Sequence, residues 1–588
     1  MTRPCGSRLG PPPPTDSGAL PRIALTVALA LGAWLSPNIA LAAPGAANRL
    51  AGANAQGPAT PSVTGIYHNP AMLGALPGLN FQATLRTGVD HQSIARFATA
   101  TDGAPSGSLG PSTQLVNPAF DYFIGASFLL DPIAVGAAVH TFDSRYRLRS
   151  APNLAYHMAE DPDLGCGSDR SRNCPALRSG GTLDLRTDFD LSLAWNALDF
   201  MSLGATVHFP RQRTHFARDV DSALTNVNTE TGCDPAVDSV ENPACAERLS
   251  FRGSTRLRWF GLRDTPSSRL DFALTLGAAF VIRDQVVIGV RFRTQPILEQ
   301  GVLTLNGDAV VCLPNSAGGD GYLPSCQSAT PVAATLTEVI PRELAIGISG
   351  AIRNWQLDGN FYWIDRCPGF DTDNDGGCGG RDARTLELVG LDADASTLPA
   401  TTLYRGARDI YGVELWGRYR LDDLIGANLP YYKVLCSGGE FDPKTGKRVS
   451  CVPRIDLLLG AGFNSPGTAP GALTAANNDG WAVAVTLGTS FNLPGRRGTW
   501  SLVPSYGLDL NLPTRVGPGG QTPAYDPRDA VAFEASGADL NAPSAQAVLA
   551  GRALPTNAGT YVGAVHTIMF GVRWSERGLG VRELPARR

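Results

Sequence analysis

From about residue 79 onward, apolar and polar residues alternate with a period of two. Leu183, Leu185, Phe189, Leu191, Leu193 and Trp195 interleave with Asp184, Arg186, Asp188, Asp190, Ser192 and Asn196. The same beat runs through Leu270 to Ile282, Val286 to Phe292 and Trp481 to Phe491. Successive side chains of a strand leave on opposite faces, so each segment is a strand with one apolar and one polar face. A soluble sandwich gives the same alternation with its apolar face turned inward. Three features favour a barrel instead. The segments reach the tilted length needed to cross a bilayer. Aromatic residues recur near their ends (Trp195, Phe209, Trp355, Trp363, Trp481, Trp500, Trp574), where interfacial girdles lie. Short turns also alternate with long loops, as a wall between two compartments requires.

The alternation predicts strands at 79–91, 119–130, 133–149, 183–197, 200–216, 269–283, 285–306, 337–353, 355–366, 409–421, 454–464, 480–492, 499–511 and 560–574. That is fourteen, an even number, as an all-β, antiparallel, up-and-down transmembrane barrel with both termini in the periplasm demands. Tight turns are expected at Asp131-Pro132, Leu198-Asp199, Asp284, Asn354 and Leu493 to Gly498, with long connections after every odd strand. The connection 422–453 breaks this parity. It carries Cys436, Cys451 and all three lysines, Lys433, Lys444 and Lys447, and reads as a periplasmic insertion, with a register error or an extra hairpin as the rival.

The N-terminus changes the picture by adding export. After Arg22 an apolar run, Ile23 to Leu35, leads to Ser36-Pro37 and the small-residue site Ala40-Leu41-Ala42. Basic residue, short apolar core and A-x-A site make 1–42 a secretory signal, too short to be a helical span. Cys5 falls within it, leaving ten cysteines in close pairs: Cys166 with Cys174, Cys233 with Cys245, Cys312 with Cys326, Cys367 with Cys378, Cys436 with Cys451. In an oxidising compartment such spacing points to local disulfides, four of them stapling long loops. Neither a C-x-x-C spacing nor a nearby histidine set supports zinc at these pairs.

Composition adds little beyond this. A net charge of −4 gives no electrostatic case for nucleic acid. The chain's 66 glycines, without a collagen-like period, suit an all-β protein. No G-x-S-x-G or H-E-x-x-H occurs and the seven histidines are scattered, so no catalytic set emerges and the chain does not read as an enzyme. Asp371, Asp373 and Asp375, closed by Gly376, have the alternate-carboxylate pattern of a structural Ca²⁺ loop, although the closing Glu of an EF-hand is absent; a solvated acidic turn is the equal alternative. The polar-face charges Asp184, Arg186, Asp188, Asp190, Arg291, Arg293, Glu414 and Arg418 read first as a solvated lumen wall. A functional reading makes Arg291 and Arg293 anchors for a carboxylate headgroup.

The segment before the first strand ends Gly65-Ile66-Tyr67-His68-Asn69-Pro70-Ala71-Met72-Leu73. An Asn-Pro-Ala tripeptide just ahead of strand one of fourteen resembles the FadL/TodX family of outer-membrane transporters for long-chain fatty acids and other hydrophobic molecules. Val287 to Phe292, Tyr411 to Leu415 and Tyr561 to Trp574 also fall where that family has strands. The resemblance implies a hatch, 43–78, centred on Asn69, Pro70 and Ala71 and plugging a barrel of residues 79–574. It also implies passive uptake of a hydrophobic ligand by an outer-membrane monomer embedded in lipid, with no cofactor required. A general diffusion porin and a structural or adhesive surface barrel are the alternatives. The insertion 422–453, the tail 575–588 and the cysteine-rich loops depart from the family pattern.

Overall fold

The computed structural model describes residues 57–99, 105–108, 113–147, 182–221, 246–255, 272–282, 286–297, 302–312, 332–352, 354–366, 386–390, 401–402, 409–421, 454–467, 480–494, 498–516 and 559–576. Fourteen antiparallel strands close a ring. The first seven are β1 (Leu79–Thr99), β3 (Thr113–Leu130), β4 (Ile133–Arg147), β5 (Thr182–Leu198), β6 (Met201–Asp221), β8 (Ala273–Ile282) and β9 (Val286–Arg293). The wall continues through β12 (Arg342–Ile352), β13 (Trp355–Asp365), β16 (Ile410–Arg420), β17 (Arg454–Asn464), β18 (Ala482–Pro494), β19 (Gly498–Val516) and β20 (Gly559–Glu576). Each pairs with the next, and β20 closes on β1 without a break from Asn80↔Ser575 to Arg96↔Gly559. At the seam the Leu79 N–H donates to Glu576 Oε2 at 3.0 Å.

Six short strands extend the ladder at the end that carries the long connections. They are β2 (Pro105–Ser108), β7 (Ala246–Ser254), β10 (Val302–Cys312), β11 (Val332–Val339), β14 (Leu386–Gly390) and β15 (Thr401–Thr402). β7 lies between β6 and β10, β10 also pairs with β11, and β11 with β14. Two expected single strands are therefore split. Residues 285–306 divide into β9 and β10, and residues 337–353 belong to β11 and β12, which part at Ile340-Pro341. Pro341 has no N–H to give the ladder, which ends a strand. The upper part of β6 (Arg213 to Asp221) pairs with β7 and its lower part (Met201 to His208) with β8, whereas the sequence predicts one strand beginning at 269. β20 runs two residues beyond the expected Trp574, into the expected tail.

The period of two places the outward face as expected. Leu191, Leu415 and Ile568 are 58%, 61% and 66% exposed, and Phe120, Ile348, Val485 and Leu487 are also exposed on the outer face. Along β1 the exposed apolar face reaches from Leu79 to Val89. At about 3.3 Å per residue and a tilt near 40°, that belt is roughly 25 Å tall, the apolar band of an outer-membrane barrel. Trp195, Phe200, Trp355 and Trp500 are exposed near the end that carries the tight turns, where Trp355 packs on Tyr419 (4.7 Å between centroids) and Trp500 on Trp574 (6.3 Å). A closed wall with an apolar belt satisfies every strand hydrogen bond within lipid. The chain is a bacterial outer-membrane barrel. Among the described residues no helix is long and apolar enough to cross a membrane.

The proposed signal 1–42, Asp371, Asp373, Asp375 and the insertion 422–453 lie outside the described residues, as does every predicted disulfide partner except the backbone of Cys312.

Candidate functional site

Ahead of β1 the chain runs inside the ring. Residues Gly65–His68 form one helical turn and Pro70–Ala75 a 3₁₀ segment. Irregular backbone in a bilayer-spanning barrel needs partners for each N–H and C=O, and the wall supplies them. Thr206 Oγ1 donates to the Ile66 carbonyl (2.7 Å) and Asn196 Nδ2 to the Gly74 carbonyl (3.0 Å), while between side chains Thr60 Oγ1 donates to Asp358 Oδ1 (3.1 Å). Val63, Ile66, Tyr67, Leu73 and Leu76 pack with lumen-facing Phe123, Ala134 and Ala194.

Asn69 is the joint between the two turns. Its Oδ1 accepts from the Ala71 N–H at 3.1 Å, the Asx turn that an Asn-Pro start favours. Its Nδ2 donates to the Pro58 carbonyl at 2.6 Å and to the Ala278 carbonyl of β8 at 3.0 Å. One amide thus closes its own turn, ties it to the segment's start and ties both to the wall. Pro70 occupies the first position of the 3₁₀ segment, where its missing N–H costs nothing.

The wall makes room with glycine. A Cβ on Gly204 would collide with the Pro70–Ala71 backbone, one on Gly277 with the Asn69 side chain, and one on Gly289 with the Pro58 carbonyl. Gly204 and Gly277 are directly paired across β6 and β8, and Gly289 pairs with Gly347 across β9 and β12. These lumen-facing positions form a side-chain-free seat. At the segment's other end Gly78 has a positive φ of 60°, a left-handed turn that lets the chain leave the lumen for β1.

Tyr67 is the centre of the charged part of the lumen. The guanidinium carbons of Arg291 and Arg293 lie 5.2 and 5.1 Å from its ring centroid. Its hydroxyl donates to Glu343 Oε2 at 3.4 Å, and Arg291 Nη2 reaches the same oxygen at 2.5 Å. Arg293 Nη2 donates to Asp188 Oδ2 at 2.9 Å, and Arg186 Nε to Asp188 Oδ1 at 3.1 Å. Burial, reinforced by the Glu343 carboxylate, pushes the Tyr67 phenol up, so it stays a donor. His68 is buried beside it with Nε2 lacking a hydrogen-bond partner; burial, with Arg291 and His140 nearby, pushes its imidazole down to about 3.

The structure thus places Asn69, Pro70 and Ala71 together in the lumen and brings Arg291 and Arg293 to the same place. Both arginines contact Tyr67 and carboxylates of the wall. Glu414 accepts from Trp416 Nε1 at 3.2 Å, and Arg418 Nε donates to Asp456 Oδ2 at 2.8 Å. The Asp184 side chain lies outside the described residues. Sequence reasoning missed Tyr67, Glu343, the seat glycines and His140 and His208. No local spacing marks any of them; only the strand register does.

No family profile matches this chain, and no curated protein matches it significantly. Solved structures do. A FadL homologue from Pseudomonas aeruginosa superposes with a TM-score of 0.54 at 11% identity, covering 91% of this chain and 100% of the homologue. The toluene transporter TodX of Pseudomonas putida gives a TM-score of 0.49 at 12% identity, covering 92% of this chain and 100% of TodX. At such identity the likeness is one of fold. The chain is a fourteen-stranded outer-membrane barrel with the fold of the FadL homologue.

Proposed function

We propose that this barrel takes up hydrophobic small molecules across the outer membrane without an energy source, long-chain fatty acids among them, with residues 43–78 acting as the hatch. The observation that carries the reading is Asn69. It closes its own turn, holds the turn to Pro58 and ties both to the Ala278 carbonyl of a FadL-type wall by a single hydrogen bond. A general diffusion porin needs an open aqueous lumen; here Tyr67, Ile66 and Leu73 occupy part of it, packed against Phe123 of β3, Ala134 of β4 and Ala194 of β5. Ligand would enter from the end with the long connections, and displacement of the Asn69-Pro70-Ala71 turn would release it. Whether Arg291 and Arg293 receive a carboxylate then depends on their leaving Glu343 and Asp188.

The test is uptake of labelled oleate and labelled toluene by a deletion strain carrying the wild-type gene or an empty vector. Gene-dependent uptake that is insensitive to uncouplers is the expected result. A porin-sized conductance of the pure protein in planar bilayers, unchanged by deleting residues 43–78, overturns the hatch. Equal uptake with and without the gene overturns the transport reading and leaves a structural surface barrel.

A further inference from the structure

Beneath Tyr67 three neighbouring wall strands bring a second constellation together. His140 on β4, Asp190 on β5 and His208 on β6 face the lumen, and all three side chains are fully buried. His140 Nε2 lies 2.7 Å from Asp190 Oδ2, and His208 Nδ1 lies 2.7 Å from Asp190 Oδ1. One carboxylate therefore presents a separate oxygen to each imidazole. The three ligating atoms fall within 4.8 Å of one another. On its far side His208 Nε2 sits 2.6 Å from Thr275 Oγ1 on β8.

We propose that His140, Asp190 and His208 bind one divalent transition-metal ion, zinc being the first candidate. Two imidazole nitrogens and a carboxylate are a borderline donor set, suited to Zn²⁺, Co²⁺ or Ni²⁺ and poorly suited to Ca²⁺ or Mg²⁺. Zinc–ligand bonds of about 2.0–2.2 Å set donors roughly 3–3.5 Å apart, so the two short contacts need to open by under an ångström. The Thr275 hydroxyl stands at the far nitrogen of His208, where it would fix the ring as outer partners of metal-ligating histidines do. If Nε2–H donates to Thr275, the Nδ1 lone pair of His208 faces a carboxylate oxygen, and two acceptors at 2.7 Å need a cation or a proton between them. If Thr275 donates instead, Nδ1–H closes the contact and the triad is held by hydrogen bonds alone.

The surroundings are compatible with a cation. Asp188, two residues along β5, is already engaged by Arg186 and Arg293, and the hydrogen-bond partners of Asp190 among the described residues are the two imidazoles. The Tyr67 ring covers the triad, 5.5 Å from the His140 ring and 6.2 Å from the His208 ring. A bound ion would tie β4, β5 and β6 together under the residue on which the N-terminal segment rests. It would also load more readily during folding than into the finished barrel.

The experiment unfolds the full-length protein in urea with EDTA and refolds it into detergent with and without Co²⁺. About one Co²⁺ per chain, retained through gel filtration with visible d–d bands, is expected. Asp190→Asn and the double variant His140→Ala/His208→Ala should each lose at least nine-tenths of it. Failure of the wild type to retain Co²⁺, or equal retention by the variants, overturns the proposal; the second outcome would place the metal elsewhere, residues 371–375 included. If the variants do not form barrels, zinc-edge X-ray absorption of the wild-type protein decides. Two imidazoles in the first shell support the site, and an oxygen-only shell overturns it.

Discussion

Asn69 meets three backbone groups with one side chain: Ala71 N–H and the carbonyls of Pro58 and Ala278. Asn69→Ala leaves these buried groups without their partner, at about 1–3 kcal/mol for each one left unsatisfied. The expected result is a barrel that still forms but whose N-terminal segment is cleaved faster by added protease and whose single-channel conductance rises. Asn69→Asp keeps the acceptor for Ala71 but sets a carboxylate against two carbonyl oxygens, so it should rescue nothing. His68 supplies a pH dependence at the same scale. Its imidazole is held near 3 in the seated segment, with Tyr67, Arg291 and His140 around it, and titrates near 6.5 once released. Above about 6.5 both states are neutral and seating is unaffected. As pH falls from there towards about 3, only the released state takes up the proton, so seating weakens, by ~2 kcal/mol at pH 5. Protease protection of the segment should therefore fall between pH 7.5 and 5, and His68→Gln should flatten that part of the profile.

Between elements, fit depends on side chains that are missing. Gly204 and Gly289 admit the segment's backbone, so Gly204→Val should unseat it while the outer face and strand pairing are kept. The readout is the same faster cleavage, now with heat-modifiable mobility on gels showing an intact barrel; unchanged cleavage would mean the seat is not used. This seat also shows where legibility in the sequence stops. The fourteen wall strands were readable because lipid outside and polar lumen inside impose the same alternation on every one of them. Asn69-Pro70-Ala71 was readable because a turn motif is local. A glycine such as Gly289 looks the same whether it serves a turn, a twist or a backbone contact. Beyond the bilayer the alternation code lapses, which is why β7, reading Ala-Glu-Arg-Leu-Ser-Phe-Arg-Gly-Ser, is not legible as a wall strand. The Tyr67–Glu343 contact and the His140–Asp190–His208 cluster join residues far apart in sequence. The cluster exists only once register sets His140 opposite Asp188 and Asp190 opposite His208.

At the scale of the whole molecule, the wall has reversed the usual arrangement of a soluble protein: its polar side chains are buried and its apolar ones exposed. Asp190 and Leu191 are chain neighbours on β5, the first 1% and the second 58% exposed. In water that pattern would be ruinous, since a belt of such leucines would associate; in a bilayer it is the stable one. The inversion has a depth-dependent signature. Leu191 stands four residues along β5 from the girdle residue Trp195, roughly 13 Å along the strand and so well into the hydrocarbon. Leu191→Arg should cost about 2–4 kcal/mol of folding free energy in lipid vesicles, whereas Trp195→Arg, at the interface, should lose only about 0–1 kcal/mol through its charge. Reversible urea unfolding in vesicles, followed by tryptophan fluorescence, measures both. Equal costs at the two positions would mean that the outer face does not meet a graded hydrocarbon layer, and the closed ring would then have to be explained as a soluble barrel with an unexplained apolar surface.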